Sequence, residues 1–114
     1  MDKELVKFWE KCGWFINEFN NAQYNYDNGT CTLRADYPEL TLDNLFKYAV
    51  PEVLEHSIND IELSVSKYIA PDYNEPLVRY YCQLKTENGT GWYTSSGDSP
   101  TQALYQAIKQ VILK

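Results

Sequence analysis

LTLDNLFKYAVPEVL, residues 40–54, decides the fold because it carries the clearest helix pattern in the chain. Its apolar side chains recur at the spacing of one helix face, so we expect that face to pack on a core. They are Leu42, Leu45, Phe46, Ala49 and Val50. Thr41 is a good N-cap, because its hydroxyl can accept from a free N–H of the first turn. Pro51 has no N–H and its ring would meet the carbonyl of Lys47, so we expect the helix to stop or kink there.

A second amphipathic helix is predicted at the end of the chain. Ser99 is a typical N-cap, Pro100 suits the first helical position, and Gln102 completes a capping box. An apolar stripe at helical spacing then runs to the C-terminus. It consists of Ala103, Leu104, Ala107, Ile108, Val111 and Ile112.

Three stretches between these helices have the period-two alternation of half-buried strands. They are residues 61–70, 77–86 and 90–95, with a loop expected at 71–76. Asn88-Gly89 favours a tight hairpin turn, which would set Lys85 opposite Trp92. The sequence therefore predicts an α-β-β-β-α unit from about residue 40 to 114, with both helices on one face of an antiparallel sheet.

The N-terminal part predicts a helix followed by a hairpin. Residues 2–12 have one apolar side, and Gly13 suits the left-handed position after a last turn. Residues 14–19 are expected to begin a strand, and residues 23–26 and 30–35 flank an Asn-Gly turn. The aromatic residues here favour packing of this segment over the free face of the sheet. We therefore expect one α+β domain, a three-layer α-β-α sandwich around an antiparallel sheet.

The charge of the chain is negative and unevenly distributed. The formal net charge is −6, and residues 34–62 hold seven carboxylates against two cationic side chains. An acidic surface repels phosphate backbones, so direct nucleic-acid binding is not expected. Glu52, Glu55, Asp60 and Glu62 are the predicted acidic patch for a basic partner. The alternative interpretation is a solvated helix face with its loops.

The cysteine and histidine residues predict no reactive centre. Cys12, Cys31 and Cys82 are an odd number without metal-ligand spacing, so neither a disulfide framework nor a zinc site is expected. His56 lies near a predicted helix end and is interpreted as a surface residue. We expect no catalytic residues, no metal and no cofactor. Because no signal peptide or membrane-spanning run is visible, a cytoplasmic protein without membrane contact is expected.

A mixed aromatic and cationic set is predicted on the face of the sheet away from the two helices. Such side chains stack on bases or sugars. Alternatively, they pack beneath the N-terminal segment, with Lys and Arg stems over the rings. The set consists of Tyr68, Arg79, Tyr81, Lys85 and Trp92.

Three stretches together resemble the phage ABA-sandwich domain family. They are FWEKCGW (residues 8–14), PELTLDNLFKYAVP (residues 38–51) and SGDSPTQALYQAIKQVI (residues 96–112). The resemblance implies an α-β-α sandwich from a phage or prophage, with no catalytic residues to carry over.

We therefore expect a non-enzymatic accessory protein that acts by protein–protein contact in a bacterial host cell. An anti-defence, anti-CRISPR-like inhibitor of a basic nucleic-acid-handling host protein is the favoured interpretation. The alternative is a module that binds or sequesters a small ligand, such as a nucleotide, on the outer sheet face. The oligomeric state is left open.

Overall fold

The computed structural model describes residues 2–68, 77–89 and 91–113, and they form the expected α+β fold. The expected loop at 71–76 and the expected strand ends at 69, 70 and 90 lie outside these residues. The helices are α1 (Lys3–Lys11), a central helix made of α2 (Leu42–Asn44), a π-helical turn (Leu45–Ala49) and α3 (Val50–Leu54), and α4 (Pro100–Ile112). The strands are β1 (Phe15–Ile16), β2 (Ala22–Asn25), β3 (Cys31–Arg34), β4 (Ile58–Tyr68), β5 (Leu77–Thr86) and β6 (Trp92–Gly97).

The large sheet is an antiparallel meander in the order β4-β5-β6. Its hairpin register is the expected one, with Lys85 opposite Trp92. β4 begins at Ile58, earlier than the predicted start at residue 61. The sequence analysis missed this start because a bulge interrupts the alternation of apolar and polar residues that predicts a strand. Ile58 pairs with Thr86 and Asp60 pairs with Lys85, which leaves one extra residue between them. The bulge turns Ile58 toward the core, where it is buried.

Helix α4 packs on the sheet as the sequence predicts. The Ser99 hydroxyl accepts from Gln102 N–H at 3.1 Å, so the expected N-cap is confirmed. The apolar stripe is buried against Cys82 and Leu84 of β5, and its fully buried members are Ala103, Leu104, Ala107 and Ile108. Gly97 lets the end of β6 approach α4, since a Cβ there would lie 2.9 Å from Gln102 Cβ.

The central helix contains a π-helical turn that rotates its buried face. Val50 N–H donates to Leu45 O, five residues back, and the helix continues past Pro51 to Leu54. The wide turn accommodates Pro51, which has no N–H for the carbonyl of an ordinary α-turn. The buried set is therefore Leu45, Tyr48, Ala49 and Val53. The helix therefore does not stop at Pro51, and the disturbance expected there includes the π-helical turn just before it. The placement of Phe46 in the core is wrong, since it is 46% exposed.

The N-terminal segment lies against the helices. The Phe8 ring lies 4.9 Å from the Tyr105 ring of α4, and the Trp9 ring lies 6.4 Å from that of Tyr48. The following strands form a separate antiparallel sheet in the order β1-β2-β3. Strand β1 is shorter than predicted because the Asn17 side chain accepts from Phe19 N–H and folds the chain into a turn. The expectation that this segment covers the free face of the large sheet is wrong, because its aromatic rings find partners on α4 and the central helix instead.

Candidate functional site

The face of the large sheet that points away from the helices is the candidate site, and we call it the outer face. Strand pairing assigns to it the side chains of Asp60, Glu62, Ser64, Ser66, Arg79, Tyr81, Gln83, Lys85, Trp92, Thr94 and Ser96. Trp92 is 63% exposed and Tyr81 is 41% exposed. Tyr68 pairs with Leu77 on the same ladder, but its side chain lies outside the described part. Two large aromatic side chains are thus presented on a polar surface.

Ion pairs mark both ends of the outer face. Lys85 Nζ lies 3.5 Å from Glu62 Oε2 at one end. Arg79 donates to Asp98 Oδ1 at 2.9 Å at the other end. Such exposed pairs contribute about 0–1 kcal/mol, so they orient the cationic side chains more than they stabilise the fold. The sequence analysis missed Asp98, because only the fold brings the loop after β6 beside β5.

Trp92 and Lys85 are direct cross-strand neighbours on the outer face. Side chains in such positions lie close enough to interact. A large ring beside an ammonium group can anchor an aromatic or anionic group of a ligand. Gln83 opposite Thr94 adds hydrogen-bonding groups on the next rung of this face. The arrangement is suited to binding.

The predicted acidic patch is divided between two elements. Glu52 and Glu55 lie at the end of the central helix, whereas Asp60 and Glu62 lie on the outer face. Glu52 Oε1 lies 3.3 Å from His56 Nε2, and Glu62 pairs with Lys85. Glu55 and Asp60 have no ion pair within residues 2–68, 77–89 and 91–113. The two elements are joined by the short turn before β4.

The cysteine residues differ in exposure and in acidity. Burial, with the charge of Glu52 as a smaller cause, raises the pKa of Cys12 to about 12. Burial raises the pKa of Cys82 to about 11. Both therefore stay protonated near neutral pH and are poor nucleophiles and metal ligands. Cys31 on β3 is an exposed free thiol.

An aromatic cluster surrounds Tyr48 between the N-terminal segment and the central helix. The rings of Trp14 and Tyr24 each lie 5.0 Å from the Tyr48 ring. Burial raises the pKa of Tyr48, and a hydrogen bond with Tyr26 raises it further. The indole N–H groups of Trp9 and Trp14 are buried and have no hydrogen-bond partner among the described residues. The contacts with Tyr48 make this cluster part of the core.

A surface groove that the sequence analysis did not identify lies between α1 and the end of α4. Its volume is about 890 Å³, and its lining includes Lys3, Glu4, Lys7, Glu10, Lys11 and Leu113. Lys3, Lys7 and Lys11 are four residues apart in the sequence, and this spacing predicts a row of lysines along one face of the helix. Lys109 Nζ lies 2.6 Å from Glu4 Oε1, and this ion pair links α4 to α1. Cationic and acidic side chains alternate in the groove, so it has no single charge sign.

Neither a metal centre nor a membrane span is found in the part of the chain that the structure describes. None of its His, Cys, Asp and Glu residues form a group of three or more that could hold a metal ion. None of its helices is long and apolar enough to cross a membrane.

Comparison of the chain with family models, with curated proteins and with solved structures finds no match in any of the three.

Proposed function

We propose that this protein acts by binding another protein through its outer face. The observation that supports this most is the exposure of Trp92 and Tyr81, at 63% and 41%, on a sheet face that none of the described elements covers. Aromatic side chains of this kind are enriched among the few residues that dominate binding energy in protein interfaces. Large apolar side chains on an uncovered surface also favour an interface.

The proposed partner has a basic surface. Asp60 and Glu62 lie on the outer face, and the whole chain has a formal net charge of −6. Complementary charge accelerates encounter and selects partners. Together with the resemblance to phage proteins, this favours an accessory protein that inhibits a nucleic-acid-handling host protein, in the manner of an anti-CRISPR. The proposal assigns no catalytic step to the chain.

The test uses the full chain as immobilised bait in bacterial lysate, with bound proteins identified by mass spectrometry. We expect a basic protein that the wild-type chain retains and that rising salt releases. Trp92→Ala should weaken retention at least tenfold, because truncation of a central aromatic anchor costs about 2 kcal/mol or more. The double variant Asp60→Lys with Glu62→Lys should weaken it as well.

The matched control is Glu18→Lys, a charge reversal at an exposed turn between β1 and β2, which belong to the other sheet. It should retain the same protein as the wild-type chain. If Trp92→Ala and the double reversal both retain the partner at wild-type strength, the outer face is not the binding surface.

A second candidate function is nucleotide binding, favoured by the position of Trp92 directly opposite Lys85. The ring would stack on a base and the ammonium group would contact a phosphate. A thermal-shift series with nucleoside mono-, di- and triphosphates tests it. A shift that is present in the wild-type chain and lost in Trp92→Ala would favour this candidate over protein binding, and no shift with any nucleotide would reject it.

A further inference from the structure

One edge of the large sheet carries backbone groups without partners among the described residues. β4 is the end strand in the order β4-β5-β6, and its 11 residues make it longer than β5 or β6. Unpaired N–H and C=O groups on such an edge are a template for another strand.

Hydrogen bonds at the ends of the ladders identify these groups. Thr86 N–H donates to Gly91 O at 3.1 Å, toward β6, and Glu87 N–H donates to Ser57 O at 2.9 Å, toward β4. Since successive residues of a strand direct their polar groups to opposite edges, the odd-numbered residues of β5 bond to the even-numbered residues of β4. The groups that face the free edge therefore belong to Ile61, Leu63, Val65 and Lys67.

The opposite edge of the sheet is protected, whereas the middle of β4 is open. Gln110 Nε2 of α4 donates to Thr94 O at 2.9 Å, which occupies an outward carbonyl of β6. β4 has a bulge after Ile58 and a charged residue, Lys67, near its other end. Between these, Asp60 and Glu62 place their charges on the outer face, whereas the helix side of the strand is apolar at Ile61, Leu63 and Val65, and Val65 is 59% exposed. Natural sheets use bulges, charges and covering elements to block edge pairing.

We propose that a second copy of this chain pairs with the free edge of β4, antiparallel, about a two-fold axis at Ser64. In this register Leu63 lies opposite Val65 of the second copy, and Ile61 lies opposite Lys67. The backbone N–H and C=O groups of these residues that face the free edge all gain partners. Each directly opposed, hydrogen-bonded pair exchanges two hydrogen bonds, so the four pairs give about eight. The six strands then form one continuous sheet.

A second copy fits this edge because the register is self-complementary, as a two-fold interface requires. On the helix side, Leu63 and Val65 make an apolar contact twice, and the Lys67 stem lies along Ile61. On the outer side, Glu62 lies opposite Ser66, so the carboxylates of the two copies do not face each other directly.

Neighbouring registers are less favourable. An axis at Leu63 would set Lys67 opposite Asn59 at the bulge, where the ladder is irregular. An axis at Val65 would set Ile61 opposite residue 69, beyond the end of β4. The axis at Ser64 is the one that pairs all four outward residues within the regular part of the strand.

The dimer is expected to be reversible and concentration-dependent, because one strand pair buries less surface than a standard protein–protein interface, which buries about 1,200–2,000 Å² in total. The first test is sedimentation velocity of the full chain over a concentration series. Val65→Pro removes an N–H that faces the free edge, so it spares the β4–β5 ladder. Val65→Thr is the matched control, because it keeps the N–H and the β-branched shape.

The wild-type chain and Val65→Thr should reach the mass of two chains, and Val65→Pro should stay at the mass of one with an unchanged circular dichroism spectrum. A wild-type chain that stays at the mass of one chain throughout, or a Val65→Pro variant that dimerises as strongly as Val65→Thr, overturns the proposal.

A cross-linking test decides the register and holds even if Val65→Pro does not fold. Ser64→Cys, in a Cys31→Ser background, sets two thiols across the axis at a separation that suits a disulfide. With oxidised glutathione as the oxidant, it should give a covalent dimer on a non-reducing gel. Ser66→Cys in the same background should not, because it lies opposite Glu62 of the second copy. Equal cross-linking of both variants, or of neither, contradicts the proposed pairing.

Discussion

Leu45 and Phe46 are adjacent in sequence and opposite in environment, which allows a direct test of the π-helical turn. Leu45 is fully buried, whereas Phe46 is 46% exposed. Leu45→Ala should lower the free energy of unfolding by about 2–5 kcal/mol, because it leaves a cavity in the core. Phe46→Ala should lower it by less than about 1 kcal/mol. Urea unfolding measures both values. A larger loss for Phe46→Ala than for Leu45→Ala would contradict the π-helical turn and would support an ordinary α-helix with Phe46 in the core.

The thiols provide a second test of burial at single residues. In the native protein, iodoacetamide should alkylate the exposed Cys31 and leave Cys12 and Cys82 unmodified, because burial shields these two thiols from the reagent and raises their pKa values. In denaturant all three should react at similar rates. Mass spectrometry of the native and unfolded protein counts the modified thiols, and rapid native labelling of Cys82 would mean that β5 is not covered.

Residues whose role depends on near neighbours were predictable from the sequence, and those that depend on a change of helix type were not. Thr41 accepts from Asn44 N–H as an N-cap, and Gly13 has a φ of 113°, both as expected. Phe46 was misplaced because the helical wheel assumes a constant turn. Pro51 signalled a disturbance, but its position alone does not distinguish a stop from a wide turn.

Helix α4 depends on its N-cap at the level of the element. Ser99→Ala should lower the free energy of unfolding by about 1 kcal/mol, because Gln102 N–H loses its acceptor. Ser96→Ala is the control, since this exposed serine lies on the outer face and caps no helix. Its effect should stay within about 0.5 kcal/mol. Equal losses in thermal or urea unfolding would show that the cap does not stabilise α4.

The strands show which parts of a sheet short-range patterns can specify. The β5–β6 register follows from Asn88-Gly89, because a two-residue turn fixes the pairing on both sides. The start of β4 was missed, since the bulge after Ile58 breaks the alternation that defines a strand in sequence. Alternation and the hairpin register placed Arg79, Tyr81, Lys85 and Trp92 correctly on the outer face, although the ion pair between Arg79 and Asp98 required the folded chain.

The position of the N-terminal segment is a property of the whole molecule. Its aromatic residues indicated that it packs on another element, but both sides of the α-β-β-β-α unit offered a surface. The segment packs on the helical side because Tyr105 and Tyr48 provide ring partners for Phe8 and Trp9 there. This segment consequently leaves Trp92 and Tyr81 exposed on the outer face, and the proposed binding surface depends on this choice of packing side.

Alkaline pH should destabilise the whole molecule through its buried acids. Burial raises the pKa values of Cys12 and Cys82 from 9.0 to about 12 and about 11, and raises that of Tyr105 from 10.0 to about 12. Above about pH 9 the unfolded chain loses protons that the native state keeps, so unfolding releases protons and stability falls as pH rises. Below about pH 9 both states keep these protons, and the stabilisation of the native state is fully present. Urea midpoints on both sides of pH 9 should show the fall, and Cys12→Ala should reduce its slope because it removes one of the groups whose pKa burial raises. A midpoint independent of pH across this interval would mean that the native state ionises these groups as readily as the unfolded chain does.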